Sequence, residues 1–152
     1  MRQTSDRASG AGICRLLNLT ALEKEMVCHA AAGELLDRGE GPFELRQMRR
    51  WGADRTVRAE VLRCLLVGTD PVAPKGVRLR GIKIEGHLDL QATTMRCPLR
   101  LDSCYLDGPP PDFGFATISL LELTNCHMDG LDAESITVRK DLDLSLIHIF
   151  KY

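Results

Sequence analysis

Cys104 and Cys126 stand 22 residues apart, and His127 follows the second directly. From those residue types a metal site can be imagined. Structural zinc takes four ligands, commonly with a CxxC or HxxxH knuckle, and the sequence contains neither spacing. Two-residue alternation would also turn His127 to the side opposite Cys126, so the cysteines read as core-filling thiols. His87 and Asp89 in GHLDL share a face, as an acid/base pair could, but with Leu88 and Leu90 turned inward they read as a solvated outer face. His29 lies beside an apolar helical stripe and reads as a packed or surface histidine. Gly10-Ala11-Gly12 hints at a dinucleotide loop, yet the third glycine of the fingerprint would fall at Arg15 and no strand precedes it. These readings assign no catalytic, cofactor or metal residue. What remains is an interaction patch, Arg46, Arg49, Arg50 and Trp51, which could grip a phosphate or form a solvated helix end with Trp51 covering a helix pair. Arg55, Arg58 and Arg63 read similarly, with Arg58 within reach of Asp54 at i, i+4.

The chain that must position these residues has 152 of them, room for one domain or for a short helical piece joined to a repeat array. It is 44% hydrophobic, 27% charged and only 5% aromatic, which predicts a core of Leu, Ile, Val and Met. Residues 1–75 carry 12 basic and 10 acidic groups, and residues 76–144 carry 7 and 11. Neither balance suits nucleic-acid binding, and the second is thin for a DNA-mimicking topoisomerase modulator. Six cysteines without an apolar run after Arg2 predict reduced thiols and a cytoplasmic location, with peripheral membrane attachment left open. No window approaches 18 apolar residues, so no transmembrane segment is expected.

Residues 1–18 read as a tail, or as codons upstream of the true start, and 19–68 as a helical cap. Thr20 and Glu23 form a capping box. Leu22, Met26, Ala30 and Gly33, with Leu36 near the same face, predict a helix over 20–37. A second helix is expected after Asp54 as N-cap, carrying Val57, Val61, Cys64 and Leu65 to Gly68. TDPVAPKG, residues 69–76, reads as a linker.

Beyond Gly76 the period changes. RGIKIEG (80–86), DSCYLDG (102–108) and TNCHMDG (124–130) recur every 22 residues. The apolar pairs Ile82/Ile84, Cys104/Leu106 and Cys126/Met128 each precede a glycine, at Gly86, Gly108 and Gly130, read as corners that need φ > 0 or close approach. Val77/Leu79, Leu99/Leu101 and Leu121/Leu123 keep the same register upstream. Within one unit, Leu88/Leu90 and Thr93/Met95 complete four inward pairs, which predicts coils of a β-helix over 77–143. One coil cannot bury enough apolar surface to offset its own ordering, so coils must stack. GPPPDFGF, residues 108–115, breaks the spacing where an inward pair is expected, and reads as a surface bulge on one corner.

Inward pairs at steps near five residues resemble a pentapeptide-repeat protein, and that resemblance implies a mainly β, right-handed β-helix of about three coils behind an α-helical N-terminal cap. More closely, Leu19 to Glu23, Arg55 to Leu66 and Gly76 to Leu90 resemble a group of actinobacterial proteins with an LTxxE helix, an RTVRAEVLRxLL helix and GxRLxGxxIxGxLDL coils. Members are often labelled membrane-associated oxidoreductases, which implies a cofactor site in a part outside this chain. LSLIHI, residues 144–149, resembles the translation of a transposon end used as a sequencing adapter, so 144–152 reads as a non-native tail on a solenoid cut while still growing. The resulting expectation is a non-enzymatic scaffold with an unknown protein partner, no nucleic acid, no cofactor, and self-association through an uncapped C-terminal coil.

Overall fold

The computed structural model describes residues 18–39, 41–145 and 147–149. The expectations for the N-terminal tail, including Gly10-Ala11-Gly12 and Cys14, lie outside the described residues. Helix α1 (Ala21–Ala32) begins where the capping box places it: Glu23 N donates to the Thr20 hydroxyl at 3.2 Å, and Thr20 N donates to Glu23 Oε1 at 2.9 Å. Leu22, Met26 and Ala30 are buried along it. It ends at Gly33, in the left-handed region at φ 74°, earlier than the apolar stripe predicts. The chain then extends as β1 (Leu35–Asp37), because Leu36 gains a partner, Leu79, in the first coil. A helix continued through Leu36 would forfeit that pairing.

The second helix is also shorter than expected. After α2 (Leu45–Arg49), a 3-10 turn covers Ala53–Arg55, β2 covers Thr56–Arg58, and α3 spans Ala59–Val67. Thr56 and Val57 are β-branched and favour extended backbone, and Val57 points inward opposite Ile84. Arg58, not Asp54, therefore stands at the N-cap position. The cap region thus supplies the first rung of each sheet, and the expected linker is packed rather than loose: Ala73 N donates to Ala30 O at 2.9 Å, and Asp70 and Gly76 are buried.

The remaining strands are β3 (Val77–Arg80), β4 (Lys83–Glu85), β5 (Leu99–Asp102), β6 (Tyr105–Asp107), β7 (Thr117–Thr124), β8 (His127–Met128), β9 (Thr137–Asp143) and β10 (His148–Ile149). They form two parallel sheets, β1-β3-β5-β7-β9 and β10-β8-β6-β4-β2. Val77 pairs with Leu99 and Leu99 with Leu121, so the 22-residue period is the rise of one coil. Asp89, Asp112 and Asp132 bridge in turn along a third side, and Thr94, Thr117 and Thr137 along a fourth. The fold is a β-solenoid of about three coils preceded by an N-terminal helix.

The corners differ from expectation. Two columns adopt left-handed backbone: Gly81, Ser103 and Asn125 at φ 69°, 58° and 54°, and Ala92, Phe115 and Ser135 at 55°, 58° and 54°. At Gly81 a Cβ would lie 2.5 Å from Gly39 O, so this corner needs glycine for close approach as well as for φ. Gly86 and Gly108 have positive φ, but Gly130 does not. Beyond it the coil shortens, since Asp132 pairs with Asp112 across 20 residues whereas Asp112 pairs with Asp89 across 23. The ladder aspartates also close their own corner: Asp89, Asp112 and Asp132 accept from the backbone N–H two residues on, at 3.1, 2.8 and 3.2 Å.

GPPPDFGF is only partly a surface bulge. Pro109 and Pro110 are exposed, but Pro111 and Phe113 are buried on either side of Asp112, in the place Leu88 and Leu90 hold around Asp89. One inserted residue moves the pair without removing it from the core.

That core runs as one cluster from Leu22, through α3, to Met128. Its two ends differ. Helices α1 and α3 cover the first coil, whereas burial fades in the last: Leu121 is 1% exposed and its partner Leu142 39%, Met128 is fully buried and Ile149 44% exposed. Within the segment expected to be a non-native tail, His148 and Ile149 pair with His127 and Met128 at the same 21-residue offset as Leu142 with Leu121. Among the described residues, no helix is long and apolar enough to cross a membrane.

Candidate interaction surface

Side chains on the outer face of the first sheet neutralise one another between coils. Arg80 bridges Asp37 at 3.4 Å and Asp102 at 3.0 Å, and Arg100 meets Glu122 at 3.3 Å. A shallow cavity of about 190 Å³ lies over this ladder, lined by Arg78, Arg80, Arg100, Asp102 and Glu122. Two of the cations there, Arg80 and Arg100, are already matched by carboxylates one rung away.

The second sheet is different, because residues 41–52 lie across its outer face as a strap. Gly41 N donates to Ser103 Oγ at 3.1 Å, Lys83 Nζ donates to Arg49 O at 3.4 Å, and Met48 is fully buried. Tyr105 faces outward between Cys104 and Leu106 yet is only 4% exposed, because α2 packs on β6. Burial pushes its hydroxyl pKa up despite a hydrogen bond from Arg49. The four residues of the expected patch therefore separate. Arg49 is tied to Tyr105, Arg46 reaches Glu44 at 3.2 Å while both stay largely exposed, and Arg50 is exposed.

Trp51 does not cover a helix pair. Its ring meets Phe43 edge-on at 5.0 Å and 84°, and the Arg55 guanidinium lies over it at 4.6 Å and over Phe43 at 5.3 Å. Arg55 Nη1 is buried without a hydrogen-bond partner among the described residues. Beside Trp51, a cleft of about 380 Å³ is lined by Thr20, Thr56, Arg58, Lys83 and Glu85. A guanidinium outside the expected patch, that of Arg55 four residues on, stacks upon Trp51. Phe43 carried no separate signal.

The Arg58 reading also changes. Instead of Asp54, Arg58 meets Glu23, a fully buried carboxylate. Glu23 Oε2 accepts from Arg58 N at 2.8 Å and Nε at 2.9 Å, and Oε1 accepts from Arg58 Nη2 at 2.8 Å in addition to Thr20 N. Burial alone would raise the Glu23 pKa, but Arg58 and the two backbone N–H groups bring it down to about 2. Arg58 in turn is raised, chiefly by Glu23. This ion pair pins α1 to the first rung of the second sheet.

Cys104 and Cys126 are fully buried next to each other, below Ile82, and their thiols point at the carbonyls of Leu79 and Leu101, at 3.7 and 3.3 Å. Burial, and then Cys126, hold the Cys104 thiol well above its ordinary pKa. His127 faces out and stacks on His148 at 4.6 Å. Burial and then His148 lower its pKa. His87 and Asp89 are both exposed, and Asp89 O accepts from Arg63 Nε at 2.8 Å. His29 Nδ1 lies 2.8 Å from Glu25 O on α1. Among the described residues, no three His, Cys, Asp or Glu side chains group as a metal site. No family model, curated protein or solved structure matches the chain, so the geometry itself must carry the functional argument.

Proposed function

We propose that this chain is a pentapeptide-repeat-like scaffold, akin to the actinobacterial group it resembles, and that it works as a non-enzymatic protein-interaction module in the cytoplasm. The observation that carries this reading is the strap: a segment outside the coil ladder, pinned by Met48, Ser103 and Lys83, holds Arg46, Arg50 and Trp51 outward on a rigid sheet. A β-solenoid keeps such a surface flat and fixed, which lowers the ordering cost of docking. Buried thiols at Cys64, Cys97, Cys104 and Cys126 support a reducing compartment. The half-exposed final coil supports self-association as a second mode of contact, through Leu142 and Ile149.

Titration of the purified chain with flavin and with reduced nicotinamide cofactors, followed by Trp51 fluorescence and by cofactor absorbance, separates the scaffold from an oxidoreductase. The scaffold predicts no saturable binding and no turnover. A stoichiometric flavin or nicotinamide complex that reduces any acceptor would overturn it.

A further inference from the structure

Residues 41–55, the strap and the 3-10 turn that follows it, carry four guanidinium groups, Arg46, Arg49, Arg50 and Arg55, against two carboxylates, Glu44 and Asp54, in a chain of net charge −1. Arg55 is the unusual one. Its guanidinium sits in the angle made by the edge-on Phe43 and Trp51 rings, and Nη1 is closed off from solvent with no acceptor among the described residues. A π face offsets part of the charge but accepts no in-plane N–H, so one charged donor is left unused. Polar groups in that condition mark places where an acceptor belongs.

We propose that Arg55, with exposed Arg50 and Arg46 earlier in the same segment, is the anchor for an acidic peptide segment of a partner protein. A carboxylate satisfies a guanidinium edge with two parallel hydrogen bonds. Arg50 and Arg46 lie five and nine positions earlier in the chain, offering further cations to neighbouring acidic side chains. Carboxylates spaced along a peptide fit this surface better than a continuous phosphate backbone, because Glu44, Asp54 and Glu85 are exposed in the same region and repel a polyanion of high charge density. The incoming carboxylate reaches Nη1 by tilting the Trp51 ring away from the guanidinium, so binding changes the surroundings of that indole. The proposal rests on the scaffold reading and names the chemistry of its partner.

Trp51 is the only tryptophan of the chain, so its fluorescence reports this site alone. The experiment titrates the whole chain with blocked hexaglutamate, with hexalysine, with inorganic phosphate and with a single-stranded oligonucleotide. The expected result is a saturable Trp51 response to hexaglutamate only, weakened at least tenfold in Arg55→Gln and in the surface variant Arg50→Gln, and unchanged in Arg78→Gln on the first sheet. Arg50→Gln keeps the test valid if Arg55→Gln does not fold. No response at millimolar hexaglutamate, an equal response to phosphate or oligonucleotide, or full binding by a folded Arg55→Gln would overturn the proposal. Those failures leave the scaffold reading standing, whereas cofactor turnover would remove the scaffold reading without touching the peptide response.

Discussion

Replacing Glu23 by Gln tests the join between cap and solenoid. Glu23 is fully buried, and its two oxygens accept four hydrogen bonds, three of them from Arg58. Its pKa of about 2, against an ordinary 4.5, means that the folded state favours the charged form. At 1.36 kcal/mol per unit, that preference contributes about 3 kcal/mol at neutral pH. The contribution is complete above pH 4.5 and is lost as pH falls towards 2, because the unfolded chain takes up the proton first. Glutamine turns an NH₂ toward either the Arg58 N and Nε donors or the Thr20 N and Arg58 Nη2 donors, and removes the buried partner of the Arg58 charge, leaving it the exposed Glu60 at 3.6 Å. Urea unfolding followed by circular dichroism should show Glu23→Gln destabilised by about 3 kcal/mol at pH 7, with a flatter acid dependence between pH 4.5 and 2. The exposed Glu25, paired with Arg38 at 2.9 Å, is the control, and Glu25→Gln should cost about 0.5 kcal/mol or less. A Glu23→Gln protein within about 0.5 kcal/mol of the parent, or one with the parent's acid slope, would refute the reasoning.

Other parts of the fold predict further outcomes. Phe115 is 55% exposed at φ 58°, so Phe115→Gly should stabilise by about 0.5 kcal/mol, whereas Gly81→Ala should cost about 2 kcal/mol as its Cβ meets Gly39 O; thermal melts measure both. In a Cys14→Ser background, a thiol reagent should label only Cys28 quickly and reach Cys64, Cys97, Cys104 and Cys126 on unfolding; fast native labelling of Cys104 or Cys126 would contradict their burial. Sedimentation of the parent should depend on concentration, and Leu142→Glu should abolish that dependence if the last coil is the contact.

The solenoid was legible because every coil repeats the same inward pairs, so a 22-residue period in Val77, Leu99 and Leu121 translates directly into stacked rungs. Where one residue is inserted, as before Asp112, the periodicity hid an inward pair that Pro111 and Phe113 in fact supply. The left-handed corners were hidden too, since Ser103, Asn125, Ala92, Phe115 and Ser135 carry no glycine signal. Strands β1 and β2 are three residues each, and their extended shape depends on partners 43 and 27 positions away, Leu79 for Leu36 and Ile84 for Val57. No local propensity encodes such partners, so helix was read through both segments. The same limit explains the patch: basic residues and Trp51 were visible in the strap, but the packing of Arg55 against both Phe43 and Trp51 is a tertiary contact.

The claim that the strap is a docking surface is tested most directly by placing a photo-crosslinking amino acid at position 50, and separately at position 78 on the first sheet, in the cell that makes the protein. The account predicts a discrete protein adduct from position 50, lost when Arg55→Gln is added, and none of comparable yield from position 78. Equal adducts from both positions, or none from position 50 in a folded protein, would contradict it.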